Sequence, residues 1–179
     1  SKAEKELRDA FSVSTGVSND ASTTVKIIID SREAKSGIAR ELTDLGMDID
    51  LQQLAVADFI LSSRVGVERK DAADFAQSII DGRLFPQLAA LKRSYEIPLL
   101  VIEGETLYGH RAINPEAIRG AIASIALNFD IKIIWTRNTK DTARFLRTFA
   151  RKEQQYVSRT PVIRVEKAPI ETSELLEFI

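Results

Sequence analysis

The stretch V-A-D-F-I-L-S-S-R-V-G-V-E-R-K-D-A-A-D-F-A-Q-S-I-I, from Val56 to Ile80, decides how the rest of the chain is read. Phe59 to Leu61 and Val65 to Val67 are short apolar runs on either side of Ser62, Ser63 and Arg64, which predicts a β-hairpin. Asp58 stands at the edge of the first strand, and Glu68, Arg69 and Lys70 close the second. Strand side chains alternate between faces, so Glu68 and Lys70 share one face and Arg69 takes the other. A helix follows from Asp71 to Ile80, with Asp71 as its cap and Asp74 in its first turn. Two carboxylates and a lysine on neighbouring strands suit phosphodiester hydrolysis. Asp58, Glu68 and the backbone carbonyl of Arg69 offer oxygen to a hard cation. The Lys70 ammonium can orient a water or offset developing negative charge. A plainer reading uses the same residues as a solvated Glu-x-Lys ion pair followed by a helix cap.

Working outward, the apolar run Val25 to Ile29 predicts a buried strand that delivers Asp30, Ser31, Arg32 and Glu33 at its C-terminal end. Those polar residues serve equally as a helix cap with an ion pair. A helix carrying Ile38, Leu42 and Leu45 stops at Gly46, and Asp48 to Val56 alternates as a strand. Beyond the hairpin and its helix, a second helix begins near Arg83, buries Leu84, Leu88 and Leu91, and ends before Pro98. Ile97 to Ile102 and Ile131 to Trp135 are further strands. Between them a loop carries His110, the single histidine, to which no role is assigned. Asn114 caps a helix with Pro115 at its first position, and from Ala117 to Leu127 that helix is apolar almost all round. A helix from Thr139 to Gln154 closes the pattern. Phe145, Leu146 and Phe149 form one of its faces, and Lys140, Arg144, Arg147 and Arg151 form a basic stripe.

The chain has 179 residues, 44% of them apolar, enough for one good core plus tails. No cysteine is present, which excludes disulfides and thiolate zinc sites. No run approaches the length of a membrane span and no signal peptide opens the sequence, so an intracellular protein is expected. The net charge of −1 supplies no general attraction to phosphate, and DNA affinity has to come from local basic patches or additional domains. Neither G-x-G-x-x-G nor a P-loop appears, which argues against a nucleotide-binding enzyme. Residues 1–22 read as a flexible linker, 23–155 as one domain, and 156–179 as a linker running into the start of another helix.

Asp58 to Asp74 spells D-x(9)-E-R-K-x(3)-D, and this pattern resembles the nuclease domain of the XPF family, nearest to its archaeal, helicase-associated Hef branch. D-S-R-E at Asp30, S-I-I-D-G-R-L-F at Ser78, I-E-G-E-T-L-Y-G at Ile102 and N-P-E-A-I-R-G-A-I at Asn114 extend the likeness over residues 25–155. Where the family pattern has glycine before the first acid, this chain has Ala57. The resemblance implies a restriction-endonuclease-like, three-layer α/β/α fold around a mixed central sheet. It implies a structure-selective endonuclease dependent on Mg2+ or Mn2+ and acting on branched DNA (forks and 3′ flaps). It also implies helicase and helix-hairpin-helix domains in the parent chain. The catalytic candidates are Asp58, Glu68, Arg69, Lys70, Asp30 and Arg32. The metal ligands expected are Asp58, Glu68 and the Arg69 carbonyl, with Asp74 and Asp30 as further candidates. A homodimer is expected through the 114–127 and 139–154 helices, because a sheet covers only one side of a helix. The competing reading is a non-catalytic dimerisation or DNA-docking module of the same fold.

Overall fold

The computed structural model describes residues 24–109, 112–155 and 161–163. The tails, the helix expected after Ser173, and His110 lie outside them. Six strands, β1 (Lys26–Asp30), β2 (Asp48–Gln52), β3 (Phe59–Ile60), β4 (Val65–Asp71), β5 (Ile97–Glu103) and β6 (Lys132–Thr136), form one sheet in the order β2-β1-β3-β4-β5-β6. Only β3 runs against its neighbours; the β1–β2, β4–β5 and β5–β6 pairs are parallel. The C-terminal ends of the other five strands therefore share one edge of the sheet with the start of β3. That edge collects Asp30, Asp58, Lys70 and Glu103.

The helices are α1 (Ile38–Asp44), α2 (Ala72–Ile80), α3 (Leu84–Ser94), α4 (Pro115–Ser124) and α5 (Thr139–Gln155). Helices α1 and α5 cover one face, where Ile38, Leu42, Ala143, Leu146 and Ala150 pack on Ile27, Ile29, Val65, Val67, Leu99 and Val101. Helices α2, α3 and α4 cover the other, where Phe75, Leu88 and Ile118 pack on Leu100 and Ile102. The result is the three-layer α/β/α arrangement with a mixed sheet. Gly66 is required by packing as well as by pairing. A methyl group there would meet the Tyr95 ring at 2.3 Å, well inside van der Waals contact.

Several expectations are corrected. The second strand ends at Gln52 rather than Val56, because the Leu54 amide turns away to donate to Asp30 Oδ2 at 3.0 Å. A 3-10 turn, Ser31–Ser36, intervenes before α1. A π turn, Ile125–Phe129, extends α4 and ends on Asp130 at φ 51°. Phe145, Leu146 and Phe149 do not form one free face. Leu146 is buried and Phe149 is packed on the core, which leaves Phe145 outside. Helices α4 and α5 lie on opposite faces of the sheet and flank its edge strand β6. Exposed apolar residues stand on the π turn, on β6 and on α5: Leu127 is 82%, Trp135 50% and Phe145 38% exposed.

Candidate active site

Alternation along β4 sets the site. Glu68 and Lys70 turn toward the α2–α3 side, and Lys70 Nζ lies 3.5 Å from Glu68 Oε1 and 3.4 Å from Asp74 Oδ2. The Lys70 side chain is only 2% exposed, so it is a buried ammonium between two acids. Across the β3–β4 pairing, the Asp58 amide donates to the Val67 carbonyl at 2.8 Å, and the Arg69 amide donates to Asp58 Oδ2 at 2.8 Å. Residues 67 and 69 thus turn their backbone polar groups toward Asp58, in keeping with strand geometry. Strand geometry puts the Arg69 carbonyl on the same side as its amide.

These groups line a cleft of about 680 Å³ walled by Arg32, Glu33 and Ala55 to Ala57 on one side and by Asp74, Arg83, Pro86, Gln87 and Ala90 on the other. Ala57 has φ 74°, a left-handed conformation that disfavours a side chain by about 1–2 kcal/mol. This is the position where the XPF pattern has glycine, so the backbone before Asp58 keeps the glycine-type turn despite its methyl group.

Burial pushes the Asp58 carboxyl well above its ordinary value, and the Glu68 charge pushes it further; the Arg69 amide opposes both. Glu68 is also raised by burial, against the attraction of Lys70. Two partly desolvated carboxylates that repel one another form a donor set in need of a cation. Among the described residues no group of three or more His, Asp or Glu side chains converges as a metal site. Two acids with a backbone carbonyl and water fit a hard, oxygen-seeking ion.

Other candidates are placed differently. Asp30, expected on the cleft, is fully buried beneath it. Its Oδ1 accepts from the Arg32 amide and Nε, both at 2.8 Å, and its Oδ2 from Arg32 Nη2 at 2.8 Å and Leu54 N at 3.0 Å. Arg32 holds the carboxyl below its ordinary range, and both oxygens are engaged by these four donors. Arg32 itself lines the cleft. Asp74 is engaged by Lys70 and by Arg83, at 3.4 Å. Asp71 caps α2 by accepting the Asp74 amide at 2.7 Å.

The Arg69 side chain points to the opposite face, where sequence reading missed its partners. Nε and Nη2 donate to Glu103 at 3.0 and 2.7 Å, and Nη1 donates to Glu33 at 3.1 Å. Glu103 also accepts from Thr139 at 3.1 Å and Thr142 at 2.5 Å. Burial alone would raise the Glu103 pKa, but Arg69 and Thr142 outweigh it and hold the group ionised below its ordinary range. The available signal was an acid closing the apolar strand I-P-L-L-V-I-E. Arg69 therefore ties β4 to β5 and α5, while it and Glu33 also belong to the cleft lining.

Residues 29–149 match the ERCC4 domain family. The chain belongs to that family. This ERCC4 domain is 44% identical over 155 residues to a putative ATP-dependent RNA helicase of Methanocaldococcus jannaschii, covering 87% of the chain and 19% of the relative. It is 37% identical over 132 residues to the 3′-flap repair endonuclease Xpf of Saccharolobus solfataricus, covering 73% of the chain and 56% of that protein. The solved structure of XPF from Aeropyrum pernix in complex with DNA superposes with a TM-score of 0.68 at 31% identity, covering 73% of this chain and 66% of the other. The ERCC4 domain thus spans a fifth of the first relative's length and little more than half of the second's. Among the described residues no helix is long and apolar enough to cross a membrane.

Proposed function

We propose that this ERCC4 domain is a divalent-metal-dependent endonuclease that hydrolyses DNA at forks and 3′ flaps and works as a homodimer. The observation that carries the reading is the convergence of Asp58, Glu68 and Lys70 on one cleft at the shared strand edge. The flap endonuclease named among its relatives points to the same substrate class. Asp58, Glu68 and the Arg69 carbonyl would hold Mg2+ or Mn2+. A cation bound there supplies charge neutralisation at phosphorus and a more acidic water.

Lys70 is held by Glu68 and Asp74, so its ammonium stays fixed while it orients the attacking water and offsets charge on the phosphate. Water attacks phosphorus in line as the opposite P–O bond breaks, the attacking water giving up its proton to solvent while solvent protonates the departing oxygen. Arg83 steadies Asp74 from the far side. Arg32 stands at the other wall, its side chain 74% exposed, available to a phosphate. Dimerisation would cover Leu127, Trp135 and Phe145 around the unpaired edge of β6. The helicase named as a relative supports a parent chain with a helicase domain, and the helix-hairpin-helix module is proposed from the sequence resemblance alone.

The test is cleavage of end-labelled fork, 3′-flap and linear duplex DNA with Mg2+, with Mn2+ and with EDTA. Metal-dependent cutting of fork and flap above duplex is the expected result. Absence of cutting on every substrate would leave the docking-module reading.

A further inference from the structure

Helix α5 carries a stretch of surface that the cleft chemistry leaves unused. Lys140, Arg144, Arg147 and Arg151 recur at steps of four, three and four residues, so they stand in one row along the helix. The buried residues of α5, Thr142, Ala143, Leu146, Ala150 and Glu153, form a separate line. At about 3.6 residues per turn the row lies about a third of a turn round from that line, and Phe145 lies about a third of a turn further. Gln154 stands between the buried line and the row, and its Oε1 accepts from the Lys26 amide on β1 at 3.0 Å. The row therefore faces the β1 side of the sheet, away from Phe145 and β6.

Charge sets the row apart from the cations of the cleft. Those are taken up by acids: Arg32 by Asp30, Arg69 by Glu33 and Glu103, Lys70 by Glu68 and Asp74, Arg83 by Asp74 and Asp81. Among the described residues none of the four cations of the row makes a salt bridge. Asp141, the acid in the first turn of α5, is bonded instead by Arg137, through its amide at 3.0 Å and Nε at 3.4 Å. Like charges three and four residues apart repel one another, and a polyanion laid along the row relieves that repulsion.

The row begins beside the cleft. Lys140 lines a hollow with Ser36, Gly37 and Thr139, in which Glu41 is the acid. Thr139 Oγ1 donates to Glu103 at 3.1 Å and accepts from Arg69 at 3.4 Å, and Arg69 and Glu33 belong to the cleft lining. From Lys140 the row runs about 16 Å along α5, the length of about five base-pair steps. Single strands are held by aromatic stacking as well as by charge. The aromatic residues of α5, Phe145 and Phe149, stand on its other flanks, so the row offers cations alone. That suits a phosphate backbone whose bases are paired and turned inward.

We propose that the row of Lys140, Arg144, Arg147 and Arg151 is a docking surface for the backbone of a double-stranded DNA arm whose junction lies at the cleft. The proposal rests on the nuclease reading of that cleft and extends it from the scissile bond to the arm that holds the junction in place.

The test is fluorescence anisotropy in EDTA from about 50 to about 200 mM salt, with a labelled 3′ flap, a plain duplex and a single strand. Loss of one phosphate contact lowers the slope of log affinity against log salt by about 0.9. Lys140→Gln, Arg144→Gln and Arg151→Gln combined should therefore lower the flap and duplex slopes by about 2.7, and the single-strand slope by less. The advantage of the parent over the variant on duplex then shrinks about fortyfold across that salt range. Lys92→Gln, which removes an exposed cation of α3 across the sheet, should leave the slopes unchanged. If circular dichroism shows the triple variant unfolded, Arg144→Gln alone carries the test, with a slope lowered by about 0.9. An unchanged duplex slope, an equal drop on the single strand, or an equal drop per charge in Lys92→Gln overturns the proposal. Cleavage of the flap by the parent with Mn2+ is scored separately. If cutting fails while the duplex slope falls as expected, the nuclease chemistry is refuted and the docking surface is not.

Discussion

Glu103→Ala tests whether the Arg69 network is the brace that holds β4 in place. Arg69 and Glu103 side chains are 12% and 9% exposed, so this is a nearly buried pair. Removing one partner of a buried pair costs about 3–5 kcal/mol, because the other charge is left uncompensated. Arg69 keeps Glu33 at 3.1 Å, which puts the expected loss at the lower end, about 3 kcal/mol. At about 2.1 cal/mol/K per residue over the roughly 130 described residues, that lowers Tm by about 10 °C. Arg69→Met with Glu103→Leu replaces the pair by apolar groups of similar size and should recover most of the loss. Arg69→Lys should not, since an ammonium cannot reproduce the planar fork that spans Glu103 and Glu33. Thermal unfolding followed by circular dichroism in metal-free buffer reads all four proteins. A shift below about 3 °C for Glu103→Ala would refute the reasoning and reduce the network to an exposed ion pair, worth at most about 1 kcal/mol.

The remaining predictions concern charge and assembly. Asp58→Asn and Glu68→Gln should each weaken Mn2+ binding in titration calorimetry, and unchanged affinity in both would place the metal elsewhere. Because the Asp58 pKa is raised in the folded state, its contribution to stability is present below the ordinary value of 3.8 and lost as pH rises through the folded value. Asp58→Asn should therefore raise Tm in EDTA at neutral pH, and an unchanged or lower Tm would contradict that sign. Glu103 behaves oppositely, its stabilisation being present above its ordinary 4.5 and lost as pH falls through the depressed folded value. Glu103→Gln should flatten the acid limb of the stability curve, and an unaltered limb would show that other groups set it. Leu127→Glu and Phe145→Glu should yield monomer in light scattering at tens of micromolar, and a monomeric parent domain would sink the proposed interface.

The strand run and its alternation were legible because a β-hairpin with acids at its ends leaves few ways to arrange the side chains. Glu68 and Lys70 on one face, with Arg69 on the other, follow from the period of two alone. The cap at Asp71 was equally readable, since its partner is three residues away. Long-range partners were not readable. Glu103 meets Arg69 across 34 residues, and its place at the end of an apolar strand names no partner. Asp30 was misplaced for a related reason: its position at a strand end is local, but its burial depends on Leu54, 24 residues away. The apolar character of α4 suggested a partner, yet the side of the sheet on which each helix packs depends on how the crossovers wind. Lys70 reads as an exposed ammonium in sequence and is enclosed by Glu68 and Asp74 in the fold. Truncating it to alanine would confound chemistry with stability, and methionine is the better replacement.

Single-turnover cleavage of a labelled fork by the parent domain and by Lys70→Met, with Mg2+ and with EDTA, tests the central claim most directly. The parent should cut only with the cation, and Lys70→Met should cut roughly 10²–10⁴-fold more slowly while binding the same fork with similar affinity. Equal cutting in EDTA, or a variant within about threefold of the parent, far short of that loss, would contradict the assignment of the chemistry to the Asp58–Glu68–Lys70 cluster.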